Sequence, residues 1–370
     1  MRKLRILYTG GTIGGKQDSE SGVIEEDIKR KQFMELLFKK YPLLEADLEQ
    51  EKVEISSDTP IKEFSENIIP SDWKLIVKSI HKAIDDGVES IVVAHGTDTM
   101  CYTSAALSFM LQGIEIPIVM TGSNFPLEVE RTDAPTNMHD AIRVALDNRF
   151  KGIFLVFSGI ENQSSDIHLG CRARKEKFYD NCFKSVNVEM IGKLQKRFLS
   201  KKDLIKIVNH QLLSQIIKLN EKKSNQLKNQ EDRIKKINIE DKISFFKVYP
   251  GFNPELIDYV IEKGDTKGII LELYNSGTGC IRSRYSLLKS LDTAKSKEIP
   301  VFITSQHEGS VLMDTYISSR KLKEVGAIPL KDMITEAAIP KLMWVLGQTS
   351  SIKEVTEMML TNLCGEIEAR

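Results

Sequence analysis

The sequence predicts an α/β protein with a larger N-terminal domain, built on a doubly wound and mostly parallel sheet, and a smaller C-terminal α/β domain. Short, continuous apolar runs alternate with helical segments in both parts of the chain, as expected of parallel strands that are covered by helices. A Lys- and Asn-rich segment without Gly or Pro lies between the two parts. We therefore expect an N-terminal domain at 1–192, a connecting arm at 193–241 and a C-terminal domain at 242–370.

A short buried strand at 6–8 opens the N-terminal domain and stops at a Thr-Gly-Gly-Thr turn. Ser71 is a suitable N-cap for an amphipathic helix that continues to about residue 86. The remaining elements follow in alternation: helix 27–40, strand 53–56, strand 90–94, helix 101–111, strand 118–120, helix 138–147 and strand 153–157. Each of the apolar strands at 90–94, 118–120 and 153–157 lacks polar alternation, which favours burial on both faces of the sheet.

The connecting arm has helical spacing of its apolar residues, at Leu204, Ile207, Leu212, Ile216 and Leu219. We interpret it as a helical, partly flexible insertion whose charges form a solvated face. The C-terminal domain repeats the alternation, with strands at 244–249, 268–273 and 300–304, a helix at 254–262 and final helices at 341–346 and 355–360.

Composition excludes several classes of protein. Lys and Arg together number 52, as do Asp and Glu, so the formal net charge is zero and gives no global attraction to nucleic acid or an anionic membrane. Neither a secretory signal nor an apolar stretch of membrane-spanning length is present in the sequence. The five cysteines are dispersed without a C-x-x-C pair, which predicts neither a zinc site nor a disulfide framework. A reducing cytoplasm is the simplest location.

Polar turns follow the predicted strands, where ligands bind in open α/β sheets. They and one loop ahead of a helix carry Thr9, Thr12, Ser65, Thr97, Asp98 and Ser123. Nucleotide-binding glycine patterns, a Ser-His-Asp order and a G-x-S-x-G elbow are all missing from the sequence. His95 is interpreted as a structural histidine, so a hydroxyl nucleophile here needs another base. A desolvated lysine can serve, but spacing alone does not select which lysine.

Two motifs resemble the signatures of the bacterial-type asparaginase/glutaminase family, most nearly its cytoplasmic type I branch. They are Thr-Gly-Gly-Thr-Ile-Gly at 9–14 and His-Gly-Thr-Asp-Thr-Met at 95–100. The similarity continues at 102–111, 121–123, 170–175, 249–251 and 277–279 and leaves out only the Lys-rich arm. The resemblance implies two α/β domains, with catalytic threonines in the larger one, and active sites that a neighbouring subunit completes.

The resemblance also assigns roles to individual residues. Thr12 matches the nucleophilic threonine, while Thr97, Lys175 and Asp98 match a second threonine with its lysine–aspartate support. The residues that match substrate-binding positions are Gly11, Ser65, Glu66, Gly96, Asp98 and Ser123. Ser65 and Glu66 are expected to hold the α-carboxylate and α-amino groups, and the backbone of Ser123 to line the oxyanion side.

Three positions depart from the family pattern. Val23 stands where many lids carry a tyrosine, and Glu66 stands where free asparaginases commonly have Ser or Gln. The effector-site cysteine of the type I branch has no counterpart near 306–308. The change at Val23 concerns activation of the nucleophile, and the change at Glu66 concerns binding of the α-amino group. The missing cysteine concerns allosteric activation by asparagine.

We expect an L-asparaginase that releases L-aspartate and ammonia through a threonine nucleophile. We expect no cofactor, no metal and no nucleic-acid partner. We expect a homodimer or homotetramer whose subunits share active sites. One alternative is the asparaginase-like, ammonia-releasing subunit of an archaeal glutamyl-tRNA(Gln) amidotransferase, which the runs at 64–67 and 340–347 also resemble. That subunit carries an extra N-terminal domain, whereas here the first motif begins almost at residue 1. A non-catalytic amino-acid-binding protein is the alternative of another class, and Thr12, Thr97, Asp98 and Lys175 argue against it.

Overall fold

The computed structural model describes residues 1–17, 24–26, 30–127, 129–158, 164–177, 181–195, 204–225 and 236–368. The chain divides into two compact units, Met1–Asp232 and Arg233–Arg370. The division falls inside the segment that we expected to connect two domains. The expected limits at 192 and 242 stay predictions, and each unit is described below by itself.

The first unit is built on an eight-stranded sheet. The strands of this unit are β1 (Arg2–Tyr8), β2 (Gly15–Gln17), β3 (Ile24–Glu26), β4 (Val53–Asp58), β5 (Ser90–Ala94), β6 (Pro117–Thr121), β7 (Gly152–Phe157), β8 (Ser164–Leu169), β9 (Ala173–Lys175), β10 (Phe183–Ser185), β11 (Gly192–Gln195) and β12 (Leu204–Ile207). The pairs β2–β3 and β9–β10 form separate two-stranded sheets. The sheet order is β12-β11-β8-β7-β6-β5-β1-β4. The strands from β7 to β4 pair in parallel, whereas β8, β11 and β12 extend the sheet antiparallel. The mostly parallel sheet predicted from the apolar runs is thus confirmed.

The helices of the first unit are α1 (Arg30–Lys40), α2 (Pro42–Gln50), α3 (Pro70–Asp85), α4 (Met100–Met110), α5 (Ala134–Ala145) and α6 (His210–Ser224). The sequence did not predict α2, and α5 begins earlier than its predicted start at 138. Ser71 is not the N-cap of α3, because the helix already begins at Pro70. The carboxylate of Asp72 instead accepts a hydrogen bond from the backbone N–H of Ile69 at 2.9 Å. Proline suits the first turn, where its missing N–H is not needed.

Part of the expected connecting arm belongs to the first unit. Leu204 and Ile207 lie on β12 rather than on a helix, and β12 pairs with β11. In α6 the spacing holds, since Leu212 and Ile216 are buried. Asn220 is also buried, and its amide bonds to the N–H of Gly113 and the carbonyl of Lys151 at 3.2 and 3.3 Å. Residues 196–203 and 226–235 of the arm lie outside the described residues.

The second unit has a four-stranded parallel sheet, which confirms the smaller α/β domain. Its elements are β13 (Ser244–Lys247), α7 (Glu255–Lys263), β14 (Ile269–Leu273), α8 (Leu288–Ser296), β15 (Val301–Ser305), α9 (Ile317–Glu324), β16 (Ala327–Pro329), α10 (Thr335–Gln348) and α11 (Ile352–Leu360). The order β13-β14-β15-β16 follows the chain. Lys341 of α10 is fully buried, and its ammonium donates to Glu366 at 2.6 Å and to the carbonyls of Met359 and Thr361 at 2.9 and 2.7 Å.

Candidate active site

Three polar turns meet at the carboxyl edge of the first unit's sheet. Strands β1, β5 and β6 are neighbours, in a register that pairs Tyr8 with Ala94 and Ala94 with Thr121. Backbone hydrogen bonds continue this register beyond the strands, from Thr9 N–H to the carbonyl of Ala94 and from His95 N–H to that of Thr121. The turns that carry Thr12, Thr97 and Ser123 therefore lie side by side, as the common direction of the strands predicts.

The two threonines of the first turn have different environments. Thr9 is fully buried, and its hydroxyl donates to the carbonyl of Ala94 at 3.0 Å. This hydrogen bond fixes the turn, so the Thr9 hydroxyl has a structural role. Thr12 is half-buried and begins a single 3-10 turn, Thr12–Gly14. Of the two hydroxyls, that of Thr12 is the better placed for chemistry.

Glycines let the first two turns and the loop of Ser65 approach one another closely. Gly11 has a φ of +75°, and a Cβ added there would lie 2.5 Å from the backbone of Gly96. A Cβ on Gly96 would in turn lie 2.7 Å from the side chain of buried Ser65. The hydroxyl of Thr99 donates to the carbonyl of Ser65 at 2.7 Å and so fixes the loop. Any larger residue at either glycine would separate these segments, while Glu66, the next residue along, is exposed.

Lys175 is the lysine that reaches the cluster. It ends β9, and its ammonium donates to the Thr97 hydroxyl at 2.8 Å and to the Asp98 carboxylate at 2.6 Å. The Asp98 side chain is 63% exposed and that of Lys175 is 21% exposed. An ion pair this exposed contributes about 0–1 kcal/mol to stability. Stability alone therefore gives little reason for an ammonium to be held against a hydroxyl.

His95 lies beside the cluster but is not equipped to act as its base. The ring is fully buried, and burial lowers the pKa of His95 to about 4. Its Nδ1 lies 2.7 Å from the carbonyl of Gly96 and donates to it in the neutral ring. A neutral imidazole that is already oriented by backbone is a structural group, which agrees with the interpretation made from the sequence.

Sequence reasoning missed a second buried group next to the site. Asp133 occupies the N-cap position of α5, but its carboxylate accepts from the backbone of Asn124 and Phe125 rather than capping the helix. These bonds shape the turn around Ser123, whose side chain is buried. An Asp directly ahead of Ala-Pro at a helix start was the available signal, and it predicts only a cap.

The structure does not describe the lid position that the sequence analysis singled out. Val23 and the lid around it lie outside the described residues. Among the residues that the structure describes, no cluster of three or more His, Cys, Asp or Glu side chains could hold a metal ion. Within the same ranges, no helix combines the length and the apolar character needed to cross a membrane.

Comparisons with known proteins agree with this geometry. Residues 3–205 match the family profile "Asparaginase, N-terminal", and residues 242–359 match "Glutaminase/Asparaginase C-terminal domain". The chain belongs to the asparaginase family. Its fold is that of an amidohydrolase family.

Among curated relatives, the D subunit of the glutamyl-tRNA(Gln) amidotransferase of Pyrococcus furiosus is 34% identical over 98% of this chain and 76% of its own length. Its counterpart from Metallosphaera sedula is 32% identical over 100% and 77%. Among solved structures, the thermostable L-asparaginase of Thermococcus kodakarensis is 30% identical, with a TM-score of 0.79 and full coverage of both chains. L-asparaginase I of Vibrio cholerae gives 25% identity and a TM-score of 0.74, covering 100% of this chain and 99% of its own. The chain is thus similar both to one component of an amidotransferase and to free asparaginases.

Proposed function

We propose that the chain hydrolyses the side-chain carboxamide of a free amino acid, with L-asparagine as substrate, and releases ammonia. One observation carries the proposal: the Lys175 ammonium bonds at once to the Thr97 hydroxyl and the Asp98 carboxylate, 2.8 and 2.6 Å away. A lysine held in this way can move a proton through a hydroxyl without histidine. The half-buried hydroxyl of Thr12 lies on the neighbouring turn and supplies the nucleophile.

The proposed reaction has two balanced steps. In the first, the Thr12 oxygen forms a bond to the amide carbon and the Thr12 proton passes to the Thr97 oxygen. The Thr97 proton passes in turn to Lys175, whose ammonium gives one of its own protons to the leaving nitrogen. The carbon–nitrogen bond breaks, and ammonia leaves an acyl-threonine. In the second, water attacks the ester carbon, the ester bond breaks and Thr12 regains its proton. Backbone N–H groups of the turns stabilise the oxyanion of each step, usually the largest single contribution.

Substrate binding is proposed for the groups around this pair. Glu66 and Asp98 both present exposed carboxylates, which suit the α-ammonium of an amino acid. A Cβ added to Gly11 or Gly96 would lie only 2.5–2.7 Å from neighbouring atoms. The backbone of these two glycines, together with Ser65, is proposed to approach the substrate directly. The backbone of Ser123 is proposed to line the amide end.

A second chain is proposed to complete each site. The turn after β14 is the proposed contributor, and it contains Ser276 in a left-handed conformation at φ +57°. Non-glycine residues in this conformation cost of order 1–3 kcal/mol and cluster at functional sites. The left-handed conformation of Ser276 therefore supports a functional role for this turn.

The curated relatives favour a second candidate more than free asparaginase. Both relatives named above are components of a glutamyl-tRNA(Gln) amidotransferase. The hydrolytic step would be the same, but the ammonia would pass to a partner that amidates glutamyl-tRNA(Gln). The neutral net charge of this chain agrees with a partner protein, rather than this chain, that binds the nucleic acid.

Steady-state ammonia release from L-asparagine and L-glutamine, with and without glutamate-charged tRNA, tests these proposals. Free asparaginase predicts turnover without tRNA and a preference for L-asparagine, since misplacing the amide by 1 Å can cost about 100-fold. Turnover that needs charged tRNA or a co-purifying tRNA-binding chain would establish the amidotransferase component instead. Amino-acid binding without ammonia release under any of these conditions would leave the non-catalytic binder.

A further inference from the structure

Asp133 is a buried carboxylate that organises the turn after β6. Its side chain is 3% exposed. The two oxygens accept hydrogen bonds from the backbone N–H groups of Asn124 and Phe125 at 3.0–3.1 Å, and from the side-chain amides of Asn124 and Asn137 at 3.2 and 3.1 Å. Burial raises the pKa of Asp133, while these hydrogen bonds oppose the rise. The fold thus keeps an ionisable group in the interior, where burying a charge costs free energy. Helix capping does not explain this cost, because the Asp133 side chain makes no cap hydrogen bond.

One set of these contacts leads to Thr97. The Asn137 amide bonded to Asp133 also donates to the carbonyl of Gly122 at 2.9 Å. Gly122 lies directly against the second turn, because a Cβ added to it would be 2.3 Å from the carbonyl oxygen of His95 and 3.5 Å from a methyl carbon of Thr97. A displacement of Gly122 would therefore press on the backbone that carries Thr97.

Another set leads to Lys175. The side-chain amide of Asn124, also bonded to Asp133, lies 3.4 Å from the sulfur of buried Cys182. The carbonyl of Cys182 accepts from the N–H of Glu176, and the next residue, Phe183, pairs with Lys175 across the β9–β10 hairpin. The hairpin that carries Lys175 is thereby tied to the same carboxylate.

We infer that Asp133 is a positioning residue: its carboxylate connects the turn of Thr97 with the hairpin of Lys175 and so sets the 2.8 Å contact between the Thr97 hydroxyl and the Lys175 ammonium. The inference rests on the proposed function, in which this contact carries the proton. Asp133 itself touches neither substrate nor reacting atoms in this scheme. Asn in its place would point an NH2 group at backbone N–H donors, and the turn would have to move.

The test compares Asp133→Asn with Asp140→Asn. Asp140 is a fully buried carboxylate on the same helix, bonded to His139 at 2.7 Å and to the Ser165 hydroxyl. Both variants disturb buried hydrogen bonds. Asp133 is bonded to the turn after β6 and is linked through Asn124 to Cys182 of the hairpin, whereas the bonds of Asp140 named here lead to His139 and Ser165. We expect Asp133→Asn to lower kcat for L-asparagine by about 100-fold, the usual effect of a displacement near 1 Å, and to change KM by a smaller factor. Asp140→Asn should keep kcat within about threefold at a comparable loss of Tm.

A second substrate separates positioning from simple loss of folded enzyme. The β-hydroxamate of aspartate has a less basic leaving group than the amide, so its expulsion depends less on proton transfer. If Asp133 aligns the proton-carrying pair, Asp133→Asn loses more activity on the amide than on the hydroxamate. Equal losses on both substrates, or equal losses in the two variants, would overturn the inference.

Cys182 provides a milder variant should Asp133→Asn fail to fold. We expect Cys182→Ala to lower kcat on the amide about tenfold, less than Asp133→Asn, because it removes one contact of the network and displaces Lys175 by a fraction of about 1 Å. Cys182→Ser keeps a hydrogen-bonding atom and should retain most of the wild-type kcat. Identical kcat in these two variants would contradict the link to Lys175. A wild-type chain that releases ammonia from neither substrate, with or without charged tRNA, would instead contradict the proposed function itself.

Discussion

At the scale of single residues, the roles divide by burial. Thr9 uses its hydroxyl for a buried backbone bond, whereas Thr12 and Thr97 are half-buried, and the Thr97 hydroxyl is bonded to an ammonium. The same residue type thus serves structure in one place and is available for chemistry in another. Variants of the three threonines should separate the two uses.

We predict that Thr12→Ala and Thr97→Val each lower turnover by several orders of magnitude, because groups that act as a unit lose most of their effect when one is removed. Thr9→Val is the matched control. It removes a buried hydrogen bond worth about 1 kcal/mol, so Tm should fall while ammonia release stays within about tenfold of wild type. A Thr12→Ala enzyme that retains more than a tenth of the wild-type rate would remove Thr12 as nucleophile.

The sequence was informative about residues whose positions follow from strand direction. Thr12, Thr97 and Ser123 come together because the carboxyl ends of parallel strands share an edge. Lys175 could not be chosen by spacing, since it lies 77 residues from Asp98 along the chain. It arrives through the β9–β10 hairpin, whose strands of three residues each are too short to give a periodic signal in the sequence. Only the family resemblance singled it out.

At the scale of secondary-structure elements, α6 is held to the sheet at a position where glycine is needed. Gly152 opens β7 at φ +118°, and a Cβ there would lie 3.0 Å from the Asn220 amide nitrogen and 3.4 Å from Ile216. Helix propensity and spacing made α6 predictable. Strands β11 and β12 were not, because they are only four residues each, too short to show the alternation that marks a strand.

We predict that Asn220→Ala destabilises the first unit by roughly 1–3 kcal/mol, because it leaves the Gly113 N–H and the Lys151 carbonyl without this partner. Asn225→Ala, at the exposed end of α6, is the matched control and should change stability by less than about 0.5 kcal/mol. Urea unfolding followed by circular dichroism measures both. Equal midpoints would mean that α6 is held by its apolar face alone.

At the scale of the whole molecule, two buried histidines couple folding to pH. Burial lowers the pKa of both His95 and His168 to about 4, and the positive charge of Lys193 adds to the effect at His168. The unfolded chain binds these protons near pH 6.5 and the folded chain only near pH 4. Stability is therefore fully present above pH 6.5 and is lost as the pH falls toward 4, by roughly 3 kcal/mol per histidine.

Chemical unfolding at a series of pH values between 4 and 7 checks this slope. His168→Gln should remove about half of it, whereas His210→Gln, at the exposed start of α6, should leave it unchanged. Comparison with the wild type isolates the histidine, because other buried groups such as Asp133 also contribute to the slope. A slope that His168→Gln leaves unchanged would contradict a neutral His168 in the folded chain.

The proposed sharing of sites between subunits belongs to the same scale. We predict a homodimer or homotetramer, since closed symmetry is the default for homo-oligomers. Light scattering across an active chromatographic peak gives the mass, and an active monomer would contradict the prediction. Subunit mixing is the sharper test. Asn275 and Thr278 lie in the turn after β14 that is proposed to complete the site, so Thr12→Ala and the double variant Asn275→Ala/Thr278→Val should each be inactive alone. Reassembled together after mild denaturation, they should recover part of the activity, because some interfaces then pair an intact Thr12 with an intact turn.

The buried pair of Lys341 and Glu366 has a consequence for how the protein is made. Domains tend to fold in order as the chain leaves the ribosome, so the first unit can fold while the second is being synthesised. The second unit is destabilised by about 3–5 kcal/mol until Glu366 emerges, because Lys341 would otherwise be an uncompensated charge in its core. A nascent chain that stalls or is cut before Glu366 thus carries an exposed, unfinished second half that proteases recognise, even though every threonine of the first unit is already in place.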